Sequence, residues 1–289
     1  MGLTVGRGVK WGAGADFIEY QASPGYQTYG VEINRTGVIG EYAYASRSTQ
    51  PTGLSSSGTS QFILSFWLNP RTLPGTLTRL LESFTAGGSL RFRVALSSAT
   101  SGIVNSNLLI QMLDSSNRTI SLSAGTSIPC GSWSHVIVSS FVPAISANRV
   151  FQCYINNAVS SLSVTPDPLF STISWDIPRT GIFTNGFAPG TLGQTYFGNF
   201  AEFYFAPTQY LDLSVTSNLR KFITTGGGTP DLGSNAATPT GTSPTIYFKG
   251  PTTSLLSGGN WVNYGTGGNW TASGTNFTYN SLTNPPSTP

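Results

Sequence analysis

The side chains that could do chemistry are few and far apart. His135 is the only histidine, Cys130 and Cys153 are the only cysteines, and no strand segment places two of the eleven acids on one face. A single histidine makes neither a triad nor a metal cluster, so His135 reads as a packed or hydrogen-bonded strand residue. Two cysteines are too few for a disulfide framework or a zinc site. Cys153 lies in VFQCYI, which pairs as a hairpin with GSWSHVIVSSF about the 142–149 connection. Cys153 then faces the region of Val138, and Cys130 sits roughly 25 Å away at about 3.3 Å per residue. Two free thiols are predicted. Asp114 and Asn117 have the oxygens of a calcium site, but a tight turn recruits the same residues and calcium wants about six oxygens or more. There is no G-x-S-x-G or phosphate loop. No catalytic residue, metal ligand or cofactor is assigned.

Binding chemistry is better represented. The long loop-like stretch from Thr165 to Leu192 carries Trp175, Asp176, Phe183, Asn185 and Phe187 among Thr, Pro and Gly. Aromatic faces stack on sugar rings and amides bind hydroxyls, so these five are the candidate glycan-binding residues. Long ordered loops are uncommon unless they do something. The competing and preferred reading is that the aromatics plug the edge of the fold or meet a neighbouring subunit, since composition does not tell functional loops from structural ones. A second aromatic set lies near the ends: Trp11, Phe17, Tyr20, Tyr26 and Tyr29 in an irregular lead of residues 1–40, and Trp261 and Trp270 in a polar tail of residues 251–289. These need another surface to pack on, either their own domain or an adjacent copy, and are read as assembly arms.

The elements between are short strands. QFILSFWLNP puts Phe62, Leu64, Phe66 and Leu68 on one face, with Ser65, Trp67 and Asn69 opposite. SLRFRVAL alternates Leu90, Phe92, Val94 and Leu96 inward against Arg91 and Arg93, which read as solvated charges. LLIQML and RTISLS form a hairpin about DSSN. Tyr196 to Phe205 is a strand covered on both faces, with Ala201, Phe203 and Phe205 on one side and Phe200, Glu202 and Tyr204 on the other. After Pro207 the apolar stripe Val215, Leu219, Phe222 and Ile223 predicts a short helix near 214–223, capped by Asp212 or Ser214 and ended by Gly226-Gly227-Gly228. TIYFKG is one more strand. The fold class is all-β.

Of the 289 residues, 38% are hydrophobic and only 9% charged, with 34 Gly and 18 Pro. A hydroxyl- and amide-rich surface of this kind suits a secreted or particle-bound protein. The net charge is +3, but the longest basic run is Arg220-Lys221, so no nucleic-acid partner is expected. No stretch reaches the roughly 20 apolar residues of a membrane span, and the first thirty residues lack a secretory h-region.

Several segments together resemble the laminin-G-like branch of the concanavalin A-like jelly rolls. FILSFWLNP is similar to the family's F-T-x-S-x-W-x-K strand, GSWSHVIVSS to W-H-H-V-A-V, and FQCYINNAVSS to V-x-L-Y-V-D-G. FGNFAEFYF resembles F-x-G-x-I-D-E-V-R-I-Y, with Glu202 at the family's Glu and Ala201 where Asp is usual. The resemblance covers about residues 41–250. The ending YLDLSVTSNLRKFITTGGGTPDLGSNAATPTGTSPTIYFKG with NYGTGG resembles the form found in structural proteins of tailed bacteriophages.

That resemblance implies a sandwich of two antiparallel sheets in jelly-roll order, with residues 1–40 and 251–289 as arms. It implies a non-enzymatic virion structural protein on the particle exterior, a head decoration, head fibre or tail-associated subunit. It would be assembled in the host cytoplasm, with copies of itself and other virion proteins as partners and a host surface glycan as candidate ligand. The alternative is a lectin-like, receptor-binding tail adhesin. Glycan hydrolases of the superfamily carry a strand of alternating acids, E-x-D-x-x-E, which this chain lacks; Glu202 is alone on its strand.

Overall fold

The computed structural model describes residues 31–33, 44–49, 51, 58–71, 77–97, 105–183, 196, 198–249, 256–257, 260–273 and 277–278. In chain order the strands are β1 (Val31–Ile33), β2 (Tyr44–Arg47), β3 (Gln61–Pro70), β4 (Leu77–Phe84), β5 (Leu90–Ser97) and β6 (Asn105–Leu113). Next come β7 (Thr119–Pro129), β8 (Ser134–Phe141), β9 (Val150–Ile155), β10 (Ala158–Val159), β11 (Leu162–Thr165) and β12 (Arg179–Ile182). The last are β13 (Gly198–Ala206), β14 (Ile246–Phe248), β15 (Leu256–Ser257), β16 (Asn260–Trp261), β17 (Trp270–Ser273) and β18 (Phe277–Thr278), with one helical turn, α1 (Thr216–Leu219), after β13.

The strands make two antiparallel sheets. One, of eight strands, runs β10-β9-β8-β3-β13-β1-β18, with β14 also on β13; the other, of ten, runs β11-β7-β6-β5-β4-β12-β2-β17-β16-β15. This is a jelly-roll sandwich of two antiparallel sheets, all-β as expected. The inner faces enclose the main core, in which Phe62, Leu64, Phe66 and Leu68 of β3 meet Phe92, Val94, Leu108, Ile110 and Leu122 of the larger sheet. Each such side chain contributes about 1.5–3 kcal/mol by burial.

The outer face of the smaller sheet is covered too. Ile63, Trp67, Ile137, Ala201, Tyr204 and Tyr247 pack under Leu213, Leu219, Phe222, Ile223 and Leu232 from the segment after β13. This second layer explains why β3 and β13 are nearly continuous in hydrophobic residues. It also corrects the helix. Only Thr216–Leu219 is helical, with no side-chain cap. Val215 points to solvent while Leu219, Phe222 and Ile223 are buried. Asp212 Oδ1 accepts from the Ser214 amide at 3.0 Å and its hydroxyl at 2.7 Å, a local turn rather than a helix cap. Arg220 is spent on Asn157 Oδ1 at 2.5 Å and the Thr224 carbonyl at 3.2 Å.

A bulge resets β13. Ala201 pairs with Trp67 but Tyr204 pairs with Ser65, so Glu202 is the extra residue, at φ +50. Phe200 therefore joins Phe203 and Phe205 in the main core, while Ala201 and Tyr204 face the second layer. Strict alternation had placed Phe200 with Tyr204. At the start of the strand Gly198, φ +141, comes so close to β3 that a Cβ would collide with the Asn69 backbone.

The β8–β9 hairpin has the expected register, Val138 opposite Cys153, and both cysteines are free thiols. Short strands from the 1–40 lead and from the 251–289 tail join the two sheets. β1 pairs with β13 and with β18, and β15–β17 continue the larger sheet beyond β2. The sandwich thus draws strands from both sides of the 41–250 span. Trp11, Phe17, Tyr20, Tyr26 and Tyr29 lie outside the described residues.

Candidate functional site

Of the two readings of the loop, the preferred one, aromatics plugging the fold, fits Trp175 and Phe183. Trp175 is fully buried, with its ring 5.2 Å from Phe92 and 5.5 Å from Phe205. Its Nε1 donates to Thr59 Oγ1 at 2.6 Å. Phe183, at φ +61, is buried against Phe200 at 4.4 Å and Tyr196 at 5.0 Å. Neither ring presents a face to a sugar, which corrects their assignment to a stacking site. Trp261 and Trp270, read as arm residues, are fully buried in the main core. Asp176 is exposed. Asn185 and Phe187 lie outside the described residues.

Polar clamps hold this loop. Ile173 and Thr59 exchange backbone bonds of 2.8 and 3.0 Å, and the Ser174 amide donates to the Leu113 carbonyl at 2.9 Å. Arg149 donates to the carbonyls of Asp167 at 2.9 Å and Phe170 at 2.6 Å, its guanidinium 5.6 Å from the Phe170 ring. Asp114 accepts from the amides of Ser116, Arg118 and Ser171 at 2.8, 3.0 and 3.2 Å, and pairs with Arg118 at 2.9 Å. Burial opposes its ionisation, but the amides of Arg118, Ser171 and Ser116 outweigh that and hold the carboxyl below its ordinary range. With Asn117 Oδ1 taken by Arg91 at 2.5 Å, these oxygens are turn anchors rather than cation ligands.

On the second-layer side, Ser65 Oγ lies 2.9 Å from His135 Nε2. That is a nucleophile–base distance, but His135 Nδ1 is buried with no hydrogen-bond partner, so no acid orients the ring. Burial pushes the imidazole down to about 3. Ser65 and Glu202 border a crevice with Trp67, Phe222, Thr229, Pro230 and Leu232, too narrow for a water molecule. Glu202 Oε2 accepts from the Tyr247 hydroxyl at 2.5 Å. The arrangement is a packed polar seam.

The remaining cluster lies on the outer face of the larger sheet. Because Val94, Ile110 and Leu122 point into the core, their neighbours Arg93, Gln111 and Ser121 point away from it. Register places Gly181, Glu82, Arg93, Gln111, Ser121 and Thr165 in one row across β12, β4, β5, β6, β7 and β11. Glu82 is 0% exposed, and its two oxygens accept from Arg79 Nη1 and Arg93 Nε. Arg93 Nη1 donates to Gln111 Oε1 at 2.8 Å, and Gln111 Nε2 to Ser121 Oγ at 3.3 Å. Arg91, nearby, is buried and bonds the Asp114 carbonyl at 3.3 Å. The arginines expected as solvated charges are thus tied in. The sequence analysis gave Glu82 no role; Arg79 and Glu82, three apart in LTRLLESF and beside a strand bearing Arg at alternate positions, were the signal.

Among the described residues no three or more His, Cys, Asp or Glu gather as a metal site, and no helix is long and apolar enough to cross a membrane.

No protein-family model matches the chain, and no curated protein matches it. Solved structures do. A heptameric SAP-like pentraxin from Limulus polyphemus is similar at 15% identity and TM-score 0.47, over 67% of this chain and 82% of its own. The CBM40 of the Ruminococcus gnavus IT-sialidase, bound to α2,3-sialyllactose, is similar at 12% identity and TM-score 0.44, over 66% of this chain and 97% of its own. The enzymatically active domain of tailspike protein 2 of bacteriophage CBA120 is similar at 12% identity and TM-score 0.39, over 72% of this chain and 31% of its own. Such likenesses concern chain path alone, and the jelly-roll assignment rests on the strand order and register described above.

Proposed function

We propose that the chain is a non-enzymatic structural subunit on the exterior of a tailed-bacteriophage particle, a head decoration, head fibre or tail-associated protein assembled in the host cytoplasm. The observation that carries this reading is the pairing of β1 with β18. Glu32 lies opposite Thr278 and Ile33 opposite Phe277, antiparallel, so the N-terminal end of β1 and the C-terminal end of β18 lie side by side at one end of one strand pair. A rigid sandwich tethered through that edge keeps the rest of its surface outward. The segments FILSFWLNP, GSWSHVIVSS and FGNFAEFYF, with the ending through NYGTGG, supply the phage association by their resemblance.

The non-enzymatic part rests on the carboxylates. Glu82 holds two arginines, Asp114 three amides and Arg118, and Glu202 a tyrosine hydroxyl, each a structural role. A glycosidic mechanism needs two carboxyls across a cleft, roughly 5 to 9.5 Å apart and free to exchange protons.

Immunogold electron microscopy of purified particles, with antibody against the folded chain, tests the reading. Label on the head or tail surface is expected. Label confined to the tail tip would favour the receptor-binding adhesin, and unlabelled particles would overturn the virion assignment.

A further inference from the structure

We infer that β11, the edge strand of the larger sheet, is the contact by which two copies of this chain associate, pairing antiparallel about a two-fold axis at Ser163. β11 ends the sheet, and its register with β7 is unbroken from Leu162 to Thr165. The Gly125 amide donates to the Ser161 carbonyl at 2.8 Å. By alternation Ser161, Ser163 and Thr165 turn their backbone groups toward β7, and Leu162 and Val164 turn theirs away. The Ala124 carbonyl, opposite Leu162, accepts instead from Asn107 Nδ2 at 2.8 Å. Among the described residues no strand lies beyond β11 to meet the outward groups. Such edges are ordinarily guarded by a lysine, a proline or a bulge, and Leu162–Thr165 carries none of these.

Parity, charge and the neighbouring apolar residues point to a second copy as the occupant. Two β11 strands bond through their outward groups where Leu162 of each faces Val164 of the other, which puts Ser163 on the axis. Moving the axis to Val164 sets Leu162 against Pro166, which has no N–H. Moving it to Leu162 sets Val164 against Ser160, whose amide already donates to the Cys153 carbonyl at 2.9 Å. From Ala158 to Pro166 there is no charged side chain, so identical edges meet without repulsion. Val159, 70% exposed, lies just before β11 and Leu169, 69% exposed, just after it. Antiparallel pairing brings Val159 of each copy to the Leu169 end of the other, the reciprocal contact that a two-fold interface requires. Arg149, bonded to the Asp167 and Phe170 carbonyls, holds Ile145 and Val150 at that same end. Among the described residues these four are all the exposed large hydrophobics except Val215. The two ten-stranded sheets then run on as one across the axis. This contact does not depend on where the protein sits in a particle.

Sedimentation velocity of the purified chain over a range of concentrations tests it, with a concentration-dependent dimer expected. Ser163 is exposed, so Ser163→Lys leaves the fold and Tm unchanged but sets two like charges face to face on the axis. It should weaken dimerisation about tenfold or more. Cross-linking tests the register, in a Cys130→Ser background. A residue on the axis has its Cα about 4.5 Å from its own copy, within disulfide reach, so Ser163→Cys should give a covalent dimer on a non-reducing gel. Thr165 is equally open to solvent, but its two copies stand roughly 14 Å apart along the strands, and Thr165→Cys should stay monomeric. A native chain that is monomeric throughout leaves the edge to a foreign strand and overturns the proposal. So do a Ser163→Lys chain that dimerises like the native one and cross-linking at Thr165 equal to that at Ser163. Failure here leaves the particle-labelling result untouched, and absence of the protein from particles leaves this one untouched.

Discussion

Trp261 lies stacked on Phe200, ring planes 14° apart and centroids 5.4 Å apart, and so ties a strand near the C-terminus to the central strand of the opposite sheet. Phe248 meets both late tryptophans edge-on, at 5.4 Å for Trp261 and 6.1 Å for Trp270. These contacts make residues beyond 250 part of the core.

Trp261→Ala should lower stability by about 3–5 kcal/mol, the usual loss for a large aromatic truncated in a packed core. Urea denaturation followed by circular dichroism measures it. A loss below about 1 kcal/mol, the level of surface substitutions, would mean the tryptophan is not seated in the core.

Acid should destabilise the fold well above the carboxylate range. His135 titrates near 6.5 when unfolded and near 3 when folded, so between these values the unfolded chain binds a proton that the folded one refuses. Its contribution is complete above 6.5 and declines as pH falls, by about 1.4 kcal/mol per pH unit. Asp114, whose carboxyl is held below its unfolded 3.8, adds a loss only at lower pH, as the pH falls through its folded value. Urea midpoints at pH 7, 5 and 4 should show the slope, and His135→Gln should flatten it between pH 6 and 4. An unchanged slope in that variant would remove His135 as the cause.

Glu82→Gln leaves Arg79 and Arg93 facing each other across a neutral amide. A loss of about 3–5 kcal/mol is expected, as for other buried pairs with one partner removed. Thermal unfolding measures it, and a Tm equal to the parent's would show that the cluster is hydrated after all.

Deleting Glu202 should preserve the fold. With that residue gone, Ala201 stays opposite Trp67, Phe203 falls opposite Phe66 and Tyr204 stays opposite Ser65, a regular ladder. The price is the Tyr247 hydrogen bond, about 1–3 kcal/mol. Glu202→Val, which loses the same hydrogen bond and also puts a β-branched side chain at φ +50, should cost about 1–3 kcal/mol more than the deletion. A deletion variant without β-sheet circular dichroism would refute the bulge reading.

Strands and register were legible wherever alternation was clean. Val138 opposite Cys153 follows from the connection length alone, and the inward set on β3 follows from its period. The bulge was not, because nothing in FAEFYF marks Glu202 as the residue that steps out of line. The aromatic loop was left between two readings for a related reason. Trp175 and Phe183 are the types that bind sugars and also the types that fill a core, and it is their burial, with the bond from Trp175 to Thr59, 116 positions earlier, that separates the two. Trp261 and Trp270 were hidden by their polar, glycine-rich surroundings, which look like a tail until strands bring them under β2.

The β1–β18 pair also sets how the molecule bears load. Tension applied at Val31 and Thr278 together pulls the two strands apart at their shared end, breaking the few bonds there one after another while the long β3–β13 and β3–β8 ladders lie off that path. Tension between that edge and the distant β10 edge runs across every strand of the smaller sheet except β14. A chain pulled this way would yield first at the β1–β18 pair and keep the rest of its sandwich intact, as a mechanical fuse does.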